Sequence, residues 1–414
     1  MFFDCAHCHF VIFANQQVID GLEFAVMNFR IGSANQPFER GIRMAAIELS
    51  TLAPVKRRLI NHDIMNCTAD DVLGNYLYSG RALGITDPGD VLQLHPDLKS
   101  QWPAIKAHYA RIGLHITENV VWDVQFNRGE PYTDYEPSVF FYGDEQHNFC
   151  RNDNWFRVVE YINSKNNFMT LAEELKMDIP KTLRFNSVSE ISTAALNSFP
   201  YPCYLKAAIS VSGVGIYRCQ DEAELKQAVK KFAADTPVQV QEEVKTDIFL
   251  NMQYRVNDHH LEQLAATEQI LDGFVHQGNR FPACCAPWHS IQPMAQWLFG
   301  HGMKGIFAFD VAVVQDKQGT RYMPIECNPR FNGASYPTLI AEKLAANSWL
   351  ARSFSTDKRH LSDIDLTGIE YNPKMGNGVV IVNWGPIQVG KLLCMLVGTP
   401  EIQKRLAREL QTRL

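Results

Sequence analysis

One segment of the chain combines residue types and a spacing that could bind a metal ion. Asp310 ends a first predicted strand, residues 316–319 have the composition of a turn, and a second predicted strand delivers Glu326 and Asn328. Side chains two apart on a strand point to the same face, so this hairpin would set three oxygen ligands side by side. Such ligands beside the guanidinium of Arg330 suit Mg²⁺ that carries a nucleotide polyphosphate.

A second pattern could bind phosphate groups. Lys206 lies in a predicted strand, and a loop of small residues follows it. Gly213 and Gly215 permit positive φ and close approach of the backbone, whose N–H groups can then cradle phosphate oxygens. Ser210 and Ser212 could add hydroxyl donors. Taken alone, the loop is more typical of an ordinary hairpin turn.

Length, composition and charge restrict the class of protein. The 414 residues suffice for two or three domains, and 46% hydrophobic with 20% charged residues is typical of a globular protein. A net charge of −6 argues against a large nucleic-acid interface. No apolar run approaches the ~20 residues that cross a bilayer, so we expect neither a membrane nor a nucleic-acid partner.

The termini and cysteines indicate a reducing compartment. The first residues lack the basic start of a secretory signal. Ten scattered cysteines do not form a disulfide framework in a chain of this length, which predicts free thiols and a cytoplasmic location. Cys5-x-x-Cys8 invites a zinc or redox interpretation, but no second pair at ligand spacing accompanies it.

The order of predicted elements suggests two kinds of architecture. Strand-like and helix-like runs alternate over residues 1–130, as in an α/β domain, with a strand at 90–95 and a helix over 101–112. The polar, turn-rich residues 127–155 resemble a linker or a surface excursion. Later residues predict strands at 204–207, 216–218, 238–241, 249–256 and 263–269, and two strands with a helix close the chain.

Taken together, the motifs resemble those of the ATP-grasp superfamily, the carboxylate–amine and carboxylate–thiol ligases. The resemblance covers about 163–336. Its pieces occur in the expected order: the helix that opens at Asn163-Ser164-Lys165, Ile179-Pro180-Lys181-Thr182, the strand ending in Lys206 with its lid loop 209–215, the hinge Val240-Gln241-Glu242-Glu243-Val244, and Glu326-Cys327-Asn328-Pro329-Arg330 after the Asp310 strand.

The resemblance implies roles for these residues in binding ATP. Lys165 and Lys206 would neutralise α- and β-phosphate oxygens. Arg330 would grip the γ-phosphoryl group or an acyl-phosphate. The metal ligands Asp310, Glu326 and Asn328 would hold Mg²⁺, which Mn²⁺ could replace.

The hinge and the lid would complete the nucleotide site. Glu242 would accept a hydrogen bond from the adenine amine, and the backbone of Val244 would meet the ring. Asp247 stands where relatives often have an acidic residue. The lid would contribute Ser210, Ser212, Gly213 and Gly215, and Cys327 would point away from the metal.

The region between the hinge and the metal strands is where relatives contact the acceptor substrate. It contains Glu268 and Arg280. Arg280 could bind a substrate carboxylate with both of its terminal nitrogens, or it could be a solvated loop arginine.

The resemblance predicts α/β and α+β architecture in three parts. Residues 1–150 would form a Rossmann-like pre-ATP-grasp domain and 151–350 an ATP-grasp domain of two α+β subdomains, on which 351–414 would pack. The implied activity joins a small-molecule carboxylate to an amine with ATP and Mg²⁺, through an acyl-phosphate, to give an amide, ADP and phosphate. Relatives are often homodimers. Two alternatives stay open: a nucleotide-binding regulatory or scaffold protein without turnover, and a small-molecule kinase.

Overall fold

The computed structural model describes residues 14–19, 22–27, 56–68, 72–126, 131–132, 134–192, 199–210, 215–257, 260–272 and 275–414. Contacts divide the chain into two compact units, Met1–Val55 and Lys56–Leu414. The described backbone of the first unit is an antiparallel hairpin of β1 (Ala14–Ile19) and β2 (Leu22–Met27). The Cys5 and Cys8 motif lies outside the described residues.

The second unit begins with a four-stranded parallel sheet in the order β5-β4-β3-β6. Its elements are β3 (Arg58–Asn61), β4 (Val91–Gln93), β5 (Val120–Val121) and β6 (Glu136–Val139), with α1 (Trp102–Arg111) and a 3₁₀ helix over Asn75–Ile85. The predicted strand at 90–95 and helix over 101–112 are confirmed.

The prediction of a linker over 127–155 is wrong for much of that segment. β6 pairs in parallel with β3, and α2 (Asp144–Cys150) and the start of α3 follow it. β6 is an edge strand that contains Pro137, and an edge strand tolerates the missing N–H of a proline. Its short polar sequence becomes a strand only through pairing with β3.

A four-stranded antiparallel sheet in the order β7-β10-β8-β9 follows. Its elements are α3 (Asp153–Asn163), α4 (Lys165–Glu174), β7 (Thr182–Phe185), β8 (Cys203–Ala207), β9 (Ile216–Cys219), α5 (Glu222–Val229) and β10 (Val238–Glu242). The predicted strands at 204–207, 216–218 and 238–241 are confirmed. β8 and β9 are therefore adjacent strands at one edge of this sheet.

The largest sheet has eight antiparallel strands in the order β15-β14-β11-β12-β13-β16-β18-β17. Its elements are β11 (Phe249–Asn257), β12 (His260–Asp272), β13 (Val275–Phe281), α6 (Trp288–Gly300), β14 (Gly305–Asp316), β15 (Gly319–Asn328), α7 (Ser335–Lys343), β16 (Trp349–Ser355), β17 (Gly378–Asn383), β18 (Lys391–Val397) and α8 (Pro400–Gln411). The C-terminal strands thus extend the sheet that carries the metal-ligand hairpin.

Three hydrophobic clusters hold these layers together. One packs the 3₁₀ helix Asn75–Ile85 and α1 against α7, β17, β18 and α8. The second lies between α3, α4, α6 and strands β11 and β14, and the third lies within the β7–β10 sheet and α5. The first cluster therefore joins residues from both ends of the second unit. No helix among the described residues combines the length and apolarity needed to cross a bilayer.

A buried histidine ties α1 to the C-terminal strands. His108 accepts the backbone N–H of Ile381 at Nε2 (3.0 Å), so Nδ1 carries the proton that bonds Glu370 Oε1 (2.7 Å). Arg111 holds the same carboxylate through two hydrogen bonds. Burial lowers the pKa of His108 although Glu370 opposes the shift. Burial would raise the pKa of Glu370, but bonds from His108 and Arg111 outweigh it and lower the pKa to about 2.

These shifts predict a loss of stability in acid. A histidine whose pKa is depressed by folding stabilises the fold above its unfolded value of ~6.5, and that contribution declines as the pH falls below it. Glu370 contributes above its unfolded value of ~4.3 and loses its contribution as the pH falls through about 2. Glu370→Gln should lower the free energy of unfolding at pH 7 by roughly 1–3 kcal/mol and flatten its pH dependence below ~4.3.

Urea unfolding between pH 3 and pH 7.5 measures this effect. Glu118→Gln is the matched control, because Glu118 makes only an exposed ion pair with Lys106. Equal pH profiles for the wild type and Glu370→Gln would contradict the assignment.

Candidate functional site

The hairpin of β14 and β15 places the predicted ligands together. Asp310 pairs with Glu326 across the two strands, and Asn328 lies on the same face of β15. The first strand does not end at Asp310 as predicted but continues to Asp316, because the turn begins only there. A β-bulge between Asp310 and Val311 bends the hairpin at this point, as bulges beside functional sites often do.

The carboxylate of Asp310 is held by three amide groups. Oδ1 accepts hydrogen bonds from Asn251 Nδ2 (2.8 Å) and Gln269 Nε2 (2.7 Å), and Oδ2 accepts one from Asn328 Nδ2 (3.2 Å). Burial and then the charge of Glu326 raise the pKa of Asp310 to about 7, against the opposing bonds from Asn251 and Asn328. Two carboxylates in this position repel each other until a cation or a proton neutralises one of them.

Glu326 is ionised because cations surround it. Its Oε2 lies 3.2 Å from Lys165 Nζ, which also donates to Ser210 Oγ at 3.1 Å. Burial alone would raise the pKa of Glu326, but the charges of Lys165, Lys206 and Arg330 outweigh it and lower the pKa. Lys165 is 7% exposed, so its ion pair is largely shielded from solvent.

Lys206 reaches the same region from the neighbouring sheet. Its Nζ donates to Gln241 Oε1 at 2.7 Å, on the strand that pairs with β8. Burial lowers the pKa of Lys206 to about 8, although the charge of Glu326 opposes the shift. The residue is 9% exposed and makes no ion pair within 4.0 Å among the described residues, so an anion that enters would find an incompletely neutralised charge.

A cavity of about 1230 Å³ connects these residues to the hinge. The predicted site residues that line it are Lys206, Glu242, Val244, Asp247, Asp310, Glu326, Asn328 and Arg330. The carboxylate of Glu242 already accepts the backbone N–H of Lys181 at 2.7 Å. Its second oxygen is the one left to accept a bond from a ligand.

The lid is described only in part. Ser210 contacts Lys165, and Gly215 adopts a φ of +73°, which explains the need for glycine there. Its carbonyl accepts the N–H of Ala207 at 2.9 Å and closes the base of the loop. Ser212 and Gly213 lie outside the described residues.

The structure does not bring Arg280 and Glu268 to the cavity. They pair across β12 and β13, with Arg280 Nη1 3.6 Å from Glu268 Oε1. Because strand side chains alternate, their neighbours Gln269 and Asn279 line the cavity instead. The half-exposed Arg280 fits the alternative of a solvated arginine, and a substrate contact by Arg280 or Glu268 stays a prediction.

Several lining residues carried no motif in the sequence. They include Arg81 and Phe140 from the N-terminal sheet region and Asn383 from β17. These positions lie far from the hairpin along the chain, and only the first hydrophobic cluster brings them close. Polar side chains alternate along β12 at Thr267 and Gln269, and this alternation could have indicated which face of the strand is polar.

The donor set fits a hard divalent cation. Asp310 and Glu326 supply adjacent carboxylates. Burial and then the charge of Glu326 raise the pKa of Asp310, and a bound cation would relieve both effects. Asn328 turns its amide nitrogen toward Asp310 and its oxygen to Arg330 Nη1 (2.7 Å). It can act as the predicted ligand only after its amide group turns round. Cys327 faces the hydrophobic core, as predicted.

Gln269→Leu should weaken cation binding by about tenfold, because a hydrogen-bond partner behind a metal ligand orients it and Gln269 donates to Asp310. Mn²⁺ titration followed by electron paramagnetic resonance measures this affinity, with Gln227→Leu on the exposed surface of α5 as the control. Unchanged affinity in Gln269→Leu would contradict the positioning role.

The Mn²⁺ affinity of the wild type should also rise between pH 6 and 8, because Asp310, with its pKa of about 7, ionises in this range.

Comparisons with known proteins identify the fold. No family model matches the sequence, and no curated protein matches it significantly. Among solved structures, N5-carboxyaminoimidazole synthetase from Staphylococcus aureus complexed with ADP has a TM-score of 0.56 at 10% identity, over 86% of this chain and 96% of that one. N5-carboxyaminoimidazole ribonucleotide synthetase from Thermus thermophilus has a TM-score of 0.51 at 12% identity, over 86% and 98%.

An L-amino acid ligase from Bacillus licheniformis has a TM-score of 0.50 at 12% identity, over 87% of this chain and 98% of that one. At such identities a structural likeness shows the fold. The chain therefore has the fold of these synthetases and ligases, the ATP-grasp fold that its motifs predict.

Proposed function

We propose that this protein is an ATP- and Mg²⁺-dependent ligase that joins a carboxylate to an amine through an acyl-phosphate. One observation carries the proposal. Lys206, Asp310, Glu326 and Arg330 line one cavity that also reaches the predicted adenine hinge, and Lys165 on α4 pairs with Glu326 beside it. This set supports binding of a polyphosphate with its cation and stabilisation of a transferring phosphoryl group.

The relatives of the same fold support this choice of reaction. One of them was solved with ADP, and another is a ligase of amino acids by name. Both of those chains are covered almost completely. The notion of a nucleotide-dependent ligase on this fold thus has support independent of the motifs.

The residues of this chain would act by position and charge. Lys206, whose ammonium bonds the neutral amide of Gln241, would bind phosphate oxygens, and Lys165 would move from Glu326 to the nucleotide as it enters. Arg330, anchored by Asn328, would hold the γ-phosphoryl group during transfer. Mg²⁺ held by Asp310 and Glu326 would supply charge neutralisation when bound.

The reaction balances without covalent attachment to the protein. A substrate carboxylate oxygen attacks the γ-phosphorus, the bond to the β,γ-bridging oxygen breaks, and ADP leaves. The unprotonated amine then attacks the carbonyl carbon, phosphate leaves with the C–O bond electrons, and the amine nitrogen loses a proton to solvent. Exclusion of water when the substrates fill the cavity would keep the acyl-phosphate from hydrolysis.

A phosphate-release screen tests the function directly. Amino acids, hydroxy acids and other small carboxylates are offered in pairs with amines, together with ATP and Mg²⁺, and the coupled product is identified by mass. Phosphate release that requires both partners supports the ligase. Nucleotide binding without turnover would favour a regulatory protein, and a stable phosphorylated product without an amine would favour a kinase.

Lys206→Met and Glu326→Gln should each reduce ATP turnover by about two orders of magnitude or more, because each removes a charge that acts on the phosphates or their cation. Lys404→Met and Glu174→Gln, both at exposed helical positions, are the matched controls. Circular dichroism checks that the variants fold. Near-normal turnover in Glu326→Gln would refute the metal assignment.

A further inference from the structure

The charges that line the cavity are segregated. All of its acidic residues belong to the hinge and the β14–β15 hairpin, and they are Glu242, Glu243, Asp247, Asp310 and Glu326. The part lined by residues before 141 and after 350 carries only two charged side chains, Arg81 and Lys391. That end of the cavity is therefore positive, and it is complementary to an anion.

Arg81 is the buried charge at this positive end. It is 8% exposed, and its guanidinium carbon lies 4.4 Å from the ring centre of Phe140, 4.6 Å from that of Tyr336 and 5.4 Å from that of Tyr78. Three aromatic rings stabilise the cation by cation–π contact, but none of them neutralises it. Among the described residues no carboxylate lies within 4.0 Å of the Arg81 guanidinium. Asp63 interacts with Arg81 at longer range and the hydroxyl of Tyr336 bonds to it, but Nε and Nη2 have no hydrogen-bond partner.

Other arginines of the chain show what this pair of nitrogens normally does. Nε and Nη2 together grip a single carboxylate in five pairs: Arg58–Asp90, Arg111–Glu370, Arg218–Glu243, Arg255–Glu262 and Arg321–Asp178. Only a carboxylate or a similar oxyanion offers two acceptors at this spacing. In Arg81 the same two donors are buried and unused, which is unfavourable unless a ligand satisfies them.

A second unpartnered group lines the same end of the cavity. Asn383 is 7% exposed, and its Oδ1 is buried without a hydrogen-bond partner among the described residues. Gly80 packs on the indole of Trp384, where a Cβ would come within 2.9 Å of the ring. This contact joins the chain neighbours of Arg81 and Asn383, so a donor and an acceptor without partners occupy one region.

Phe140 relates this region to the site of phosphoryl transfer. Its ring centre lies 4.4 Å from the guanidinium carbon of Arg81 and 5.9 Å from that of Arg330. The two guanidinium groups can therefore be no further apart than these two distances combined. A molecule of amino-acid size can reach from one to the other.

We propose that Arg81 binds the end of the amine substrate that is remote from the reacting nitrogen, that this end carries anionic oxygens, and that Asn383 Oδ1 accepts a hydrogen bond from an N–H of the same molecule. The substrate would be an amino acid or a phosphorylated amine, and the planar pair of donors favours the carboxylate. The inference rests on the proposed ligase function. Because Nε and Nη2 are covered in this state, the guanidinium turns toward the cavity as the ligand enters.

Ligand-induced thermal stabilisation of the full chain tests this proposal without requiring turnover. The probes are L-amino acids, the matching amino-acid amides, which lack the anionic group, and O-phosphoethanolamine, each with ADP and Mg²⁺. At least one amino acid should raise the melting temperature of the wild type, its amide should not, and Arg81→Met should lose the response. Protection by O-phosphoethanolamine alone would identify the anionic group as a phosphate.

The variants separate ligand binding from a structural role. Without ligand, Arg81→Met should melt at the wild-type temperature or above it, because it removes an unpaired buried charge. Asn383→Leu should weaken the response, and Arg157→Met, at an exposed position on α3, should keep it. Where turnover is found, Arg81→Met should raise the KM for the amine at least about tenfold and leave the KM for ATP unchanged.

The outcomes that overturn the proposal are distinct from a failure of the ligase function. It is overturned if no probe protects the wild type, if an amide protects as well as its amino acid, or if Arg81→Met responds like the wild type. A fall of several degrees in the melting temperature of ligand-free Arg81→Met, with an unchanged response, would assign Arg81 to structure. Thermal protection by an amino acid without any ATP turnover would instead refute the proposed reaction and leave the anion site standing.

Discussion

The site depends on the electrostatic balance between two neighbouring carboxylates and the lysines around them. Asp310 and Glu326 face each other across a hairpin, and Lys165 and Lys206 keep Glu326 ionised while the pKa of Asp310 rises to about 7. Such an arrangement is poised for a cation and for phosphate, because each would replace an unfavourable interaction with a favourable one. The lysines come from α4 and β8, so the balance also fixes how the two sheets meet.

A shared hydrophobic core builds the part of the cavity that lies opposite the hinge and the β14–β15 hairpin. The 3₁₀ helix Asn75–Ile85 and α1 pack against β17, β18 and α8, so residues from both ends of the second unit line one wall. His108 reinforces this contact through Ile381 and Glu370. The end that contains the hinge and the β14–β15 hairpin is built by strands of two sheets that follow one another along the chain. The opposite end requires tertiary packing across more than 250 residues of chain (Gln101 and Leu361 are 260 apart).

Sequence patterns predicted the elements with local causes. The β14–β15 hairpin, the lysine strand with its loop and the C-terminal strands and helix follow from alternation, turn residues and caps. These sequence patterns failed where pairing with a distant strand decides the local structure. β6 is a strand because β3 is beside it. In β14, the bulge after Asp310 and the continuation to Asp316 depart from the regular strand that ends at Asp310 in the prediction. The sequence also did not indicate that Asn279 and Gln269 line the cavity while their neighbours Arg280 and Glu268 pair with each other.

The sequence by itself determined which groups are available for chemistry: the lysines, the paired carboxylates and Arg330, together with the fold that their order indicates. Only the tertiary structure decided that Arg81 and Asn383 belong to the same cavity, that Asn251 and Gln269 hold Asp310, and which oxygen of Glu242 is left for a ligand. The physical reason is the distance along the chain over which each interaction acts. Strand alternation and turn formation act over a few residues and are written locally, whereas burial and the pairing of distant charges depend on what the folded chain brings alongside.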